Sequence, residues 1–270
     1  MRDRPQPPAA VTELSRERLA QIRGVFTDID DTLTWEGRVV PAAFAALERL
    51  KRAGLRVVPI TGRPGGWVDH IARMWPVDGV VGENGGLWFW MQHGKLQRRF
   101  AQGEAERVAN RLRLEQIAAT ILSQVPGAAL ASDQPYRDLD LAIDFCEDVP
   151  ALDDAAVAKI VDGFHAAGAT CKVSSIHVNG WFGAFDKLEG CRRFVRDRWQ
   201  EDLDATLDHY AYIGDSANDE SMFAAFPTSI GVANVARFLP HMAAWPRYIT
   251  QGSGGHGFAE LADAVLAARA

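Results

Sequence analysis

An apolar run that stops at paired carboxylates, Val25-Phe26-Thr27-Asp28-Ile29-Asp30-Asp31-Thr32, opens an alternation of strand and helix that constrains the fold more than any other feature of the chain. Pro41 stands where the first turn of a helix accepts proline. Phe44, Leu47 and Leu50 then recur every three residues on one face, and Gly54 supplies a C-terminal stop. A strand over residues 55–60, a helix over 67–74 and a strand over 79–81 follow. Strands that alternate with helices in this way pair in parallel, and the helices cover the sheet. Residues two apart on a strand share a face, so Asp28 and Asp30 can both reach the C-terminal edge of that sheet, the usual ligand crevice of an open α/β fold.

Beyond Gly85-Gly86 the rhythm changes. Residues 87–91 and 96–100 are expected to pair as a hairpin across 92–95, followed by a long helix over 104–125. A strand at 139–145, a helix over 153–167 ended by Gly168 and a strand over 170–178 come next. Asn179-Gly180 is the dipeptide of a type I′ hairpin turn, here leading into a strand over 181–185. Past Asp186 the first pattern resumes, with helices over 187–199, 218–226 and 258–268 and strands at 210–213 and 229–232. The expected fold class is α/β: a Rossmann-like parallel core of residues 1–86 and 182–270, interrupted by an inserted α+β unit over 87–181. Residues 1–8, rich in proline and charge, are expected to be disordered, and 14–22 to form a short leading helix.

At 270 residues, 47% of them apolar and 24% charged, the chain can bury a substantial core. A net charge of −6 gives nucleic-acid binding no support. No apolar stretch approaches the ~18 residues needed to span a bilayer, and the N-terminal residues lack the apolar centre of a signal peptide. A cytoplasmic protein, monomeric or homodimeric, is the expectation. Cys146, Cys171 and Cys191 fit neither a disulfide framework nor a CxxC metal site, so they are expected to be reduced and buried. The seven histidines form no HxxxH or HExxH pattern, which leaves a hard ion held by oxygen as the expected kind of metal.

Three further elements follow the aspartates in a fixed order: Thr61-Gly62-Arg63 after the second strand, Lys187 opening a helix, and Gly214-Asp215-Ser216-Ala217-Asn218-Asp219 after Tyr210-Ala211-Tyr212-Ile213. Each alone is compatible with a strand end, a cap or a surface charge. Together, and with Glu83-Asn84-Gly85-Gly86 just ahead of the insertion, they resemble the motifs of the haloacid dehalogenase-like phosphohydrolase superfamily. The insertion is similar to the C2-type cap of its type IIB branch, which holds Cof-like, sucrose-phosphate, trehalose-phosphate and mannosyl-phosphoglycerate phosphatases and the phosphomannomutases.

The resemblance implies that Asp28 is a nucleophile forming an aspartyl-phosphate, and that Asp30 protonates the leaving alcohol and later deprotonates a water. Thr61 and Lys187 would hold the phosphoryl group, with Gly62 and Asn218 beside it. Mg²⁺ would be bound by the Asp28 carboxylate, the Asp30 carbonyl and the Asp215 carboxylate, a pattern that suits this ion. Asp219 either reaches the metal through water or orients Lys187, and Asn218 and Asp219 serve equally as helix-capping residues. Arg63 either contacts substrate or makes a structural ion pair. Asp31 stands where many members carry glycine. In the cap, His177, Arg137, Asn179 and Trp181 are the candidates to face the site, although a turn, core packing and strand alternation explain the last two and the first without any ligand. The implied substrate is a small phosphorylated metabolite, first of all a sugar phosphate. A phosphomutase and a catalytically silent metabolite-binding protein on the same fold are the alternatives.

Overall fold

In the computed structural model, which describes residues 6–269, six strands form a parallel sheet in the order Ala9–Ala10, Tyr248–Ile249, Thr228–Gly231, Tyr210–Gly214, Gly24–Thr27 and Arg56–Pro59. Residues 1–5, most of the stretch expected to be disordered, lie outside the described residues. Successive strand residues enter opposite faces, as the pleat demands. Val25, Val57, Ala211 and Ile213 join the cluster under the helices Pro41–Arg52, Gly65–Met74 and Gly254–Arg269. Phe26, Val58, Tyr210 and Tyr212 join the one under Lys187–Trp199 and Glu220–Ala225. Because both faces are covered, Gly24–Thr27, Tyr210–Gly214 and Thr228–Gly231 are buried throughout instead of alternating between buried and exposed. A bridge between Ile60 and Val81 extends the sheet to Val80–Gly82.

The hairpin of Leu87–Gln92 and Lys95–Phe100 forms as its sequence predicts but belongs with the large sheet. It continues Val80–Gly82 in antiparallel fashion, and Leu87, Trp88, Phe89 and Trp90 are buried in the two core clusters. We therefore place the start of the insertion after Phe100 rather than at Leu87. From there, Glu104–Gln124 and Asp154–Ala166 pack against an antiparallel sheet ordered Thr170–Val173, His177–Trp181, Leu141–Asp144 and Ala129–Leu130. This layer has its own core, with Leu114, Ile121, Leu141, Ile143, Ile160, Phe164 and Val178.

Asn179-Gly180 is not a turn. Both residues lie inside the strand His177–Trp181, and the reversal falls at residues 174–176. There the Ser174 N–H donates to the His177 carbonyl and the Ser174 hydroxyl accepts the His177 N–H. Gly180 has a packing reason instead: a Cβ at this position would lie 2.2 Å from the Phe164 ring, so the helix Asp154–Ala166 can approach the sheet only over bare backbone. Cys171 and Cys191 are buried thiols, whereas Cys146 is half-buried, and all three are free. No helix among the described residues is long and apolar enough to cross a membrane.

Candidate active site

Asp28 and Asp215 each follow directly on a strand, Gly24–Thr27 and Tyr210–Gly214, and these two strands are neighbours. The Asp28 N–H donates to the Ile213 carbonyl at 2.9 Å, so the ladder itself fixes where the carboxylate begins. Lys187 opens the helix Lys187–Trp199, whose N-cap Asp186 accepts the Glu189 N–H. Its Nζ donates to Asp28 Oδ1 at 2.6 Å, Asp219 Oδ1 at 2.6 Å and Asn218 Oδ1 at 3.2 Å. Burial pulls Lys187 down, but Asp219 and Asp28 outweigh it and hold the ammonium above its ordinary range. It is therefore a fixed positive charge beside the nucleophile candidate.

Asp28, Asp215 and Asp219 offer oxygen atoms that all lie within 4.8 Å of one another. Both Asp219 oxygens are already taken. Oδ1 accepts from Lys187 and, at 2.5 Å, from the Tyr212 hydroxyl, and Oδ2 accepts the Asp215 and Ser216 N–H groups at 2.9 and 3.2 Å. These contacts fix Asp219 against the Lys187 ammonium. Asp28 and Asp215 are different. Burial pushes Asp28 well above the carboxylate range despite Lys187, with Asp219 and Asp30 adding to the rise, and burial together with Asp28 and Asp219 does the same to Asp215. The donors nearest Asp215 are Asn234 Nδ2 at 3.5 Å and Arg237 Nη2 at 3.9 Å. Two facing carboxylates with too little positive charge between them, and oxygen as the donor atom, fit a small divalent cation.

Asp28, Asp30, Gly62, Arg63, Asp215, Ser216 and Asn218 face Ser174, Ser175, Ile176, His177 and Asn179 of the inserted layer across a narrow cavity. Thr61 is fully buried just behind this lining, and its hydroxyl accepts the Arg63 N–H at 2.9 Å. Asp31 has φ 55°, in the left-handed region where glycine is the usual residue and aspartate is tolerated. Arg63, which is part of this lining, is held by Asp30 and Glu147.

Arg137 does not face the cavity. Its side chain is fully buried, Nε and Nη2 pair with Asp133, and Nη1 donates to Asp140 Oδ1 at 2.9 Å and to the Gly62 carbonyl at 2.8 Å. It braces the two layers, and every donor is spent on protein. Trp181 likewise lies in the large core cluster, stacked on Phe185. Among residues that sequence reasoning passed over are Ser174, Ser175 and Ile176 in the turn, and Glu147, whose Oε2 is 2.9 Å from His177 Nε2. They sit in loops without periodicity, where no local signal marks them.

The Glu83-Asn84-Gly85 turn works in two directions. Glu83, wholly buried, accepts the N–H groups of Gly65, Asp138, Leu139 and Asp140 at 2.6–3.1 Å and so ties the inserted layer to the large sheet. On its other side, a Cβ on Gly85 (φ 99°) would lie 1.9 Å from the Asp186 carbonyl, so the turn seats the start of the Lys187 helix. Glu83→Ala leaves four N–H groups without that acceptor, three of them buried, at about 1–3 kcal/mol for each that water does not reach. We expect a melting temperature clearly below wild type and faster amide exchange at residues 138–140, and unchanged exchange there would refute the tie. Burial and Asp140 push Glu83 up to about 7 from 4.5. The folded chain then keeps a proton that the unfolded chain loses, so this group's contribution to stability falls as pH rises through that window and is level above it.

Asp28, Asp30, Thr61 and Arg63 lie in a stretch, residues 25–132, that matches the family model for haloacid dehalogenase-like hydrolases, and Lys187, Asp215 and Asp219 lie beyond it. A phosphoglycolate phosphatase of Methanospirillum hungatei is 27% identical over 249 residues, which cover 89% of this chain and 95% of that one. The crystal structure of Thermoplasma acidophilum 0175 shares the fold with a TM-score of 0.69 at 18% identity, over 91% of this chain and 98% of the other. The sucrose-phosphatase of Synechocystis, solved with sucrose and phosphate, does so with a TM-score of 0.62 at 15% identity, over 90% and 98%. The carboxylates at the ends of adjacent parallel strands are thus set in a fold shared with these structures, and Asp28 lies in the stretch that matches the model for haloacid dehalogenase-like hydrolases.

Proposed function

We propose that this chain is a Mg²⁺-dependent phosphatase that hydrolyses a small phosphorylated metabolite, a sugar phosphate in the first place, through an aspartyl-phosphate. The observation that carries the reading is the Asp28 carboxylate at a strand end, 2.6 Å from the buried Lys187 ammonium and facing Asp215. An Asp28 oxygen attacks phosphorus as the bond to the leaving oxygen breaks, and Asp30 gives that oxygen its proton. A water then attacks phosphorus, Asp30 takes the water's proton, and the bond to Asp28 breaks to release phosphate. The Thr61 hydroxyl and the Lys187 ammonium bind the phosphoryl oxygens. Asp28 and Asp215, with the Asp30 carbonyl, hold the ion, which when bound offsets the negative charge shared by carboxylates and phosphate.

The cavity between the large sheet and the inserted layer is narrow and lined by polar groups. On the leaving-group side it presents Ser174, Ser175, His177 and Asn179, hydroxyl, imidazole and amide groups that pair with the hydroxyls of a short polyol. The test is a panel of phosphorylated metabolites that includes phosphoglycolate, the substrate in the name of the Methanospirillum relative, read by released phosphate. Release from at least one compound, stopped by a chelator and restored by Mg²⁺, is expected. Mg²⁺ should also raise the melting temperature of the chelator-treated protein, since an ion bound only by the folded state stabilises it. Release undiminished by chelation would overturn the metal, and no release from any compound would overturn the phosphatase.

A further inference from the structure

The Arg63 guanidinium lies at the seam between the large sheet and the inserted layer, and its N–H groups are all directed at carboxylates. Nε lies 3.1 and 3.2 Å from the two Asp30 oxygens, and Nη2 is 3.0 Å from Asp30 Oδ1 and 2.7 Å from Glu147 Oε1. Nη1 reaches Glu147 Oε2 at 3.2 Å and Asp133 Oδ2 at 3.5 Å. The flat face of the group rests over the Trp67 ring, 4.6 Å from its centroid. A guanidinium is planar with a rigid fork of donors, so holding one edge fixes the direction of the other.

The edge toward the inserted layer is well held. Glu147 sits in a loop whose N–H groups, from Cys146, Glu147 and Asp148, all donate to the buried Asp144 carboxylate at the end of the strand Leu141–Asp144. Asp133 is gripped by Arg137, which also holds the Gly62 carbonyl next to Arg63. Asp30, by contrast, is held by Arg63, at 24% side-chain exposure. The chain of contacts therefore runs from a rigid part of the inserted layer, through one flat cation, to the side chain that must meet the leaving oxygen.

We propose that Glu147 is a positioning residue for proton transfer: through Arg63 it aims the Asp30 carboxyl, so the proton donor reaches its working geometry only while the inserted layer sits on the large sheet. This rests on the reading above, in which Asp30 protonates the leaving group. Glu147 touches neither the phosphoryl group nor the reacting oxygen. Its effect is selective for reactions that need the proton.

The experiment is a series of aryl phosphates, from dinitrophenyl through nitrophenyl to phenyl phosphate, which lack the hydroxyls of a metabolite and differ in how far the leaving oxygen needs a proton. Wild type, Asp30→Asn, Glu147→Gln and Glu147→Ala are compared by kcat/KM, with melting temperatures as a check on folding. A fully lost general acid costs typically about 10²–10⁴ in rate, so a misaimed one should cost phenyl phosphate about tenfold and dinitrophenyl phosphate about twofold or less. The dependence on leaving-group acidity should steepen toward that of Asp30→Asn, and Glu147→Gln should steepen it no further in an Asp30→Asn background. Equal losses across the series in both Glu147 variants would overturn the proposal, because a merely structural role shifts all substrates together. If Asp30→Asn itself leaves the dependence unchanged, the acid role of Asp30 fails and takes the proposal with it. If wild type hydrolyses neither these esters nor any compound of the metabolite panel, the phosphatase reading fails and the proposal with it.

Discussion

Asp28→Asn should lower turnover by about four orders of magnitude or more, the scale on which removing a nucleophile acts, while the protein still folds. The amide has the size of the carboxyl, and Lys187 keeps Asp219 and Asn218 as partners. The variant should also fail to trap label from a phosphate ester in an acid-stable, base-labile form, which wild type does when quenched in mid-reaction. Turnover close to wild type in the purified variant would exclude the covalent route. A large fall in melting temperature would mean that the carboxylate is needed for the fold and would leave the rate uninformative.

Lys187→Met should be harsher, because it fails in both respects. Removing the ammonium leaves Asp28, Asp215 and Asp219 together in a buried space with no other cation among the described residues in contact with Asp28 or Asp219. Breaking a buried pair by deleting one partner costs about 3–5 kcal/mol, which in a domain of this size is about 10 °C in melting temperature. Activity on every phosphate ester should vanish, since the phosphoryl oxygens lose their fixed charge. Asp28→Asn and Lys187→Met thus separate in thermal melts although both are inactive. A Lys187→Met protein that melts with wild type would show that the three carboxylates do not depend on this lysine.

The parts of the site that were legible in the sequence are those carried by strand ends. Asp28, Thr61 and Asp215 each follow an apolar run, and a parallel sheet brings such ends to one edge whatever the loops do. Lys187 was legible for a related reason, being at the start of a helix with Asp186 as its cap. The inserted layer was harder to read. Asn179-Gly180 carries a strong local turn signal, but the demand of the Phe164 ring for a bare backbone is a contact between residues far apart, and it overrode the local preference. The hairpin after Gly86 is expected from the sequence, yet a local pairing is silent about which sheet it joins, and Trp88 and Trp90 settle that by entering a core cluster of the large sheet. Arg137 looked like a ligand because it is a charge in a loop, and only the positions of Asp133, Asp140 and the Gly62 carbonyl reveal it as a brace. Glu147 and the turn at 174–176 gave no signal, since their importance comes from what lies opposite.

The strand order has a consequence for how the chain is made. Gly24–Thr27 has one early neighbour, Arg56–Pro59, and its other edge pairs with Tyr210–Gly214, while Ala9–Ala10 waits for Tyr248–Ile249. At roughly 5–20 residues per second of synthesis, the interval from residue 27 to residue 210 leaves an apolar strand edge unpaired for about 10–40 s. The inserted layer does not wait, because its cluster is drawn from one continuous stretch, Leu114 to Phe182, and can close as it emerges. Asp28 and Asp30 are thus made early and lie idle, and the groups that would give them a function, Lys187, Asp215 and Asp219, arrive with the strands that bury that edge. A nascent chain stopped short of residue 210 has no assembled reaction centre and an open apolar edge, so it is a candidate for chaperone binding before it can be an enzyme.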